Sequence, residues 1–165
     1  MIKPQDMLKL GMNLQKAIEI AESKEIAVGL PKSSPLTRVI YKKEGSKKKG
    51  KSVLEIGVIH EFGLGKNPLR SFLRVPFAKN KNRIESALEI SFKKVANEGA
   101  NPIRQLERTG AFILNIVLEA FNSKGFGTWK PLKASTVNKK KSSAILTDTA
   151  TLKRSNTYVV RNATT

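Results

Sequence analysis

The side chains able to do chemistry are few. His60 is the only histidine, Asp6 and Asp148 are the only aspartates, and there is no cysteine. A serine nucleophile would need His60 as its base, and no nucleophile elbow is present to supply that serine. Metal-dependent hydrolysis needs clustered carboxylates, whereas the acids here are scattered singly. The absence of cysteine excludes disulfides and thiolate metal sites. Gly63-Leu64-Gly65 lacks the third glycine and the preceding strand of a phosphate-binding loop. The residues therefore predict a protein that is not an enzyme, with no catalytic residue, no cofactor and no metal.

What remains is charge. There are 31 Lys and Arg against 13 Asp and Glu, a net +18. Residues 38–54 carry seven basic groups and one acid, and residues 123–165 carry nine and one. A surplus of that size repels itself and asks for an acidic or polyanionic partner, although a solvated, solubilising surface is the plainer use. The residues expected to make that electrostatic contact are Lys42, Lys43, Lys47, Lys48, Lys49 and Lys51, joined by Lys139, Lys140 and Lys141. Their expected targets are an acidic protein surface or the phosphates of DNA. A lysine block with glycine and serine and little apolar content cannot bury enough surface to order itself. The sequence thus predicts a mobile basic loop at 32–52 and a basic C-terminal segment at 123–165, within a single domain covering 1–165.

The elements that must position these groups follow from periodicity. Leu10, Leu14, Ala17, Ile18 and Ala21 share one face of a helix that Pro4 opens. Ile26, Val28 and Leu30 alternate in a short strand that Pro31 ends. Val53, Ile56, Gly57 and Phe62 are expected to share a helical face, with Gly63 as the left-handed stop and His60 against the last carbonyls. Glu61 is expected to pair with Arg70 or Arg74. Ile84, Ala87, Leu88, Ser91, Phe92 and Val95 mark a further helix. Asn101 and Pro102 start another, whose stripe is Ile103, Leu106, Gly110, Ile113, Val117, Ala120 and Phe121. Gly110 within that stripe predicts close approach by another backbone. Gly125-Phe126-Gly127 ends the helix. Trp129 is an anchor packed over the core, as are Phe72 and Phe77, and a last strand covers 157–161. The fold class is α+β, mostly helical, with a small antiparallel sheet and a long basic loop.

Two blocks then match a known family. Val58-Ile59-His60-Glu61-Phe62-Gly63, followed by Arg70-Ser71-Phe72-Leu73-Arg74, resembles the "IHEFG … RPFLR" signature of phage virion-morphogenesis proteins. These are the tail-completion and neck proteins of tailed phages. Gly127-Thr128-Trp129-Lys130-Pro131-Leu132, Thr136 and Leu146-Thr147-Asp148-Thr149-Ala150-Thr151-Leu152 resemble that family's "W-x-PL … T … LxDTGxL" segment. Ser71 stands where the family has proline and Ala150 where it has glycine. The resemblance covers roughly 53–160. It implies a structural virion protein, a subunit of a homo-oligomeric ring of six-fold or twelve-fold closure needed for head–tail joining. Its partners would be other neck and tail proteins, with non-specific DNA contact and no membrane. It would reside in the virion, and in the host cytoplasm during assembly. By the same resemblance His60, Glu61, Phe62, Gly63, Arg70, Phe72 and Arg74 hold the fold or the subunit interface, alongside Trp129. The competing reading is a cytosolic, non-enzymatic nucleic-acid-binding protein whose lysines contact phosphates.

Overall fold

Proline at a first helical position gives up an N–H that would have had no partner, and Pro4 opens α1, which runs Pro4–Ser23. The computed structural model describes residues 3–41, 50–140, 145–146 and 151–163. After α1 come β1 (Lys24–Gly29), a 3-10 turn (Pro35–Arg38), β2 (Ile40–Tyr41) and β3 (Lys51–Ser52). Next are α2 (Val53–Phe62), α3 (Arg74–Lys79), α4 (Lys81–Glu98) and α5 (Pro102–Asn122). Last come α6 (Ala134–Lys140), α7 (Thr151–Arg154) and β4 (Thr157–Asn162). The class is α+β, mostly helical, with small antiparallel strand pairs. The sequence predicts one domain, and the chain divides into two compact units. One comprises Met1–Val28, Asn80–Ile113 and Tyr158–Thr165; the other comprises Gly29–Lys79 and Leu114–Thr157.

In the first unit α1 packs on α4 around Ala17, Val95 and Ala96. α4 closes on Gly99, whose φ of 68° is a left-handed stop, with Gly99 N–H donating to Val95 O and Ala100 N–H to Lys94 O. Asn101 Oδ1 accepts from Arg104 N at 3.0 Å and caps the start of α5. Between α4 and α5 the Ser91 and Thr109 hydroxyls bond each other at 2.7 Å. Ser23 faces Ala163 and Glu25 faces Arg161, so β1 and β4 run antiparallel. Gly110 is indeed required small, but by a side chain and not by a backbone. A Cβ there would lie 2.4 Å from the Tyr158 ring. Gly110→Ala should therefore lower the unfolding free energy by about 1–2 kcal/mol despite alanine's better helix propensity. Urea unfolding reads this directly, and truncating Tyr158 in the same chain should recover part of the loss.

The second unit is built on aromatic rings. Phe72 and Phe121 lie 5.2 Å apart and Phe121 meets Trp129 edge-on at 5.8 Å. Ile116, Val117 and Ala120 of α5, the helix that carries Phe121, are buried as well. Trp129 reaches this core because Gly125 and Gly127 adopt φ of 69° and 78°, reversing the chain after α5. α2 starts with a capping box: Ser52 Oγ accepts from Glu55 N at 3.1 Å, and Glu55 Oε2 accepts from Ser52 N at 2.6 Å.

Two expectations change. The ends of the segment read as a loop at 32–52 are folded: Thr37 is buried, with its hydroxyl donating to Pro31 O or Ser34 O, and Ile40 and Tyr41 pair with Ser52 and Lys51. Ladder hydrogen bonds order these residues without needing a core. Within the basic segment 123–165 Trp129 is buried, as expected, together with Ile145 and Leu152, and α6 forms there. On α2 the buried residues are Val53, Gly57 and Glu61, at i, i+4 and i+8, while Phe62 is exposed. Among the described residues no helix is long and apolar enough to cross a membrane.

Candidate functional site: a buried glutamate and the basic cleft beside it

α2 stops where Gly63 takes φ of 65°. A Cβ on Gly63 would lie 3.1 Å from the Leu69 backbone, so the chain turns back tightly there. Leu64 N–H donates to Ile59 O at 2.9 Å and Arg70 N–H to His60 O at 2.8 Å, which brings residues 70–74 across the end of α2.

Glu61 receives them. Its side chain is almost fully buried, the residue being 4% exposed. Oε2 accepts the backbone N–H groups of Phe72 at 2.8 Å and Leu73 at 3.0 Å. Oε1 accepts the Ser71 hydroxyl at 2.6 Å, Arg74 N–H at 3.0 Å and Arg74 Nε–H at 3.2 Å. Arg74 also donates from Nη2 to Glu61 O at 2.9 Å. The first amides of a helix have no partner inside it. In α3 the Arg74 amide goes to Glu61, the Val75 amide goes to Ser71 Oγ at 3.0 Å, and Pro76 has none to satisfy. A carboxylate has about four acceptor positions, and five donors occupy these two oxygens. The protein's own donors therefore fill the acceptor positions of Glu61. Among the described residues no group of three or more His, Asp or Glu is placed to hold a metal.

Of the two arginines expected to pair with Glu61, Arg74 does so. Its guanidinium, more than half exposed, also lies 4.3 Å over the exposed Phe62 ring. Arg70 goes elsewhere. Its Nη2 donates to Lys130 O at 3.2 Å, which ties the first signature block to the second. Trp129 does the same, donating from Nε1 to Ser71 O at 3.2 Å. Phe72 is 0% exposed, so it belongs to the core.

Arg70 also forms the floor of a cleft of about 820 Å3. Lys66, Lys130 and Lys133 line it, with apolar walls from Val53, Ile56, Leu132 and Leu152. Among the described residues no carboxylate lines it. Burial pushes the Arg70 guanidinium below the usual arginine value. The lysines of this cleft were not singled out from sequence, since Lys66, Lys130 and Lys133 stand apart from the lysine runs. Only Arg70 pointed to it. Of the lysines expected to meet a partner, Lys51 is exposed in β3, while Lys139 and Lys140 fall at the end of α6. Lys42, Lys43, Lys47, Lys48, Lys49 and Lys141 lie outside the described residues. No protein-family model matches the chain, and neither a curated protein nor a solved structure is found to be similar to it.

Proposed function

We propose that the protein is a structural component of a tailed-phage particle, a subunit of a homo-oligomeric ring at the neck or tail end, acting without catalysis. The observation that carries this reading is an apolar stripe on α1 that the described chain leaves uncovered. Met7, Leu10, Leu14 and Ile18 recur at i, i+3, i+7 and i+11, yet all four are exposed. Leu88, Ile90 and Phe92 on α4 are exposed as well. Scattered apolar residues are ordinary on a surface, but a helix-long stripe is a contact site.

The occupant that fits is a second copy of this chain. α1 and α4 together hold six basic and six acidic residues, so this helix pair is neutral in a chain of net +18. Self-association is therefore least opposed by like-charge repulsion on this pair. Head-to-tail contacts between identical copies close into rings. The signature residues support the same reading, since Glu61, Ser71, Phe72 and Arg74 are spent on holding the fold.

Leu10→Asp with Leu14→Asp tests it. Both positions are already exposed, so the midpoint of thermal unfolding should shift by only about 2–4 °C. Ring formation, or incorporation into particles assembled in the host, should be lost. A double variant that enters particles at the wild-type copy number, or a wild-type chain missing from purified particles by mass spectrometry, overturns the reading.

A further inference from the structure

We infer that the cleft floored by Arg70 is a docking site for an acidic peptide segment of a partner protein, whose carboxylate meets the Arg70 guanidinium. This rests on the structural, partner-binding role proposed above and names the chemistry of one partner. Arg70 is 6% exposed, and its Nε–H is buried without an acceptor. Its Nη2 is held by Lys130 O, so the guanidinium is fixed in place before anything binds. Arg70 lines the cleft, and a carboxylate that enters it meets a guanidinium already fixed in place and gains its charge-assisted attraction.

The surroundings select among anions. Lys66, Lys130 and Lys133 are exposed at the rim, where they draw in negative charge from a distance. The walls below are apolar, with Val53, Ile56, Leu132 and Leu152 able to take aliphatic side chains. A polynucleotide pairs its phosphates with an open basic groove and stacks its bases on aromatic faces, whereas these walls are mainly aliphatic. A peptide that alternates aspartate or glutamate with leucine-like residues uses both features. The volume, about 820 Å3, lies in the ordinary range for a pocket that encloses a ligand.

The test uses the full chain and a dye-labelled acetyl-Leu-Asp-Leu-Asp-Leu-amide peptide, read by fluorescence anisotropy. The expected result is saturable binding that weakens about tenfold or more when both aspartates are replaced by asparagine. Lys66→Ala and Lys133→Ala, exposed changes that leave the core untouched, should each weaken it and flatten its salt dependence. Arg70→Lys should abolish it in a chain that still shows the wild-type near-ultraviolet circular dichroism. If Arg70→Lys unfolds the protein, the two lysine variants carry the decision. No binding at about 1 mM peptide overturns the inference. So does equal binding of the asparagine peptide, or an oligothymidylate of about ten residues that competes through these same lysines. Binding that appears only in Asp148→Ala also overturns it, since the chain's own carboxylate would then be the occupant. Peptide binding is measured on the isolated chain, whereas the ring reading is judged on particles, so either can fail without the other.

Discussion

Replacing Glu61 with alanine should lower the unfolding free energy by about 3–5 kcal/mol, and with glutamine by about 2–4 kcal/mol. The alanine change leaves three backbone N–H groups, the Ser71 hydroxyl and the Arg74 Nε–H without their acceptor. Each buried donor that loses its partner costs about 1–3 kcal/mol, reduced here because water reaches the exposed Arg74 side chain. Glutamine keeps one acceptor oxygen but points an NH2 at donors, so it recovers only part. With a urea m-value of about 1–3 kcal/mol per molar, the alanine midpoint should fall by about 1–3 M. The start of α3 loses its cap in both variants, so hydrogen exchange should rise first at Phe72, Leu73 and Arg74. Arg74→Ala, by contrast, should cost about 1 kcal/mol, because its side chain is more than half exposed. A Glu61→Ala chain as stable as wild type would show that the carboxylate is not what joins α2 to α3.

Phe72→Ala should cost about 3–5 kcal/mol. Phe72 is 0% exposed, packs 5.2 Å from Phe121, and lies within 3.5 Å of where a Cβ on Gly57 would stand. Truncation leaves a ring-sized void between α2 and α5 in the second unit. The void cannot close readily, because the backbone on each side of Phe72 is held by Glu61 and by Trp129 Nε1 on Ser71 O. Phe72→Leu should cost less, about 1–2 kcal/mol, since it keeps most of the volume. Thermal unfolding separates the two variants. If alanine and leucine prove equally mild, the aromatic cluster is not the core of this unit. The Glu61 and Phe72 changes share one short segment, so their effects should combine non-additively.

Several elements were legible in the residues alone. Pro4, Gly63 and the Asn101-Pro102 pair mark helix ends because each carries its own backbone or capping signature, and all three mark the ends found. Ser52-x-x-Glu55 carried a capping signature as well, although it had not been singled out. Periodicity found the stripes on α1 and α5, yet it reports only which side chains share a face. It does not say whether another layer covers that face, so Leu10, Leu14 and Ile18 stayed exposed while Ile113, Val117 and Phe121 were buried. Gly110 announced a close approach, but only the folded chain showed that Tyr158 makes it. The pairing of Glu61 with an arginine was legible, but its hold on the start of α3 was not, because most of its partners are backbone amides, which have no side-chain signature to read. Lys66, Arg70, Lys130 and Lys133 span more than sixty positions of the chain and share a cleft only because Arg70 bonds Lys130 O and Trp129 bonds Ser71 O. Sequence determines the charge and the local turns, since these depend on neighbouring residues. The convergence of distant groups on one cleft was decided by tertiary hydrogen bonds.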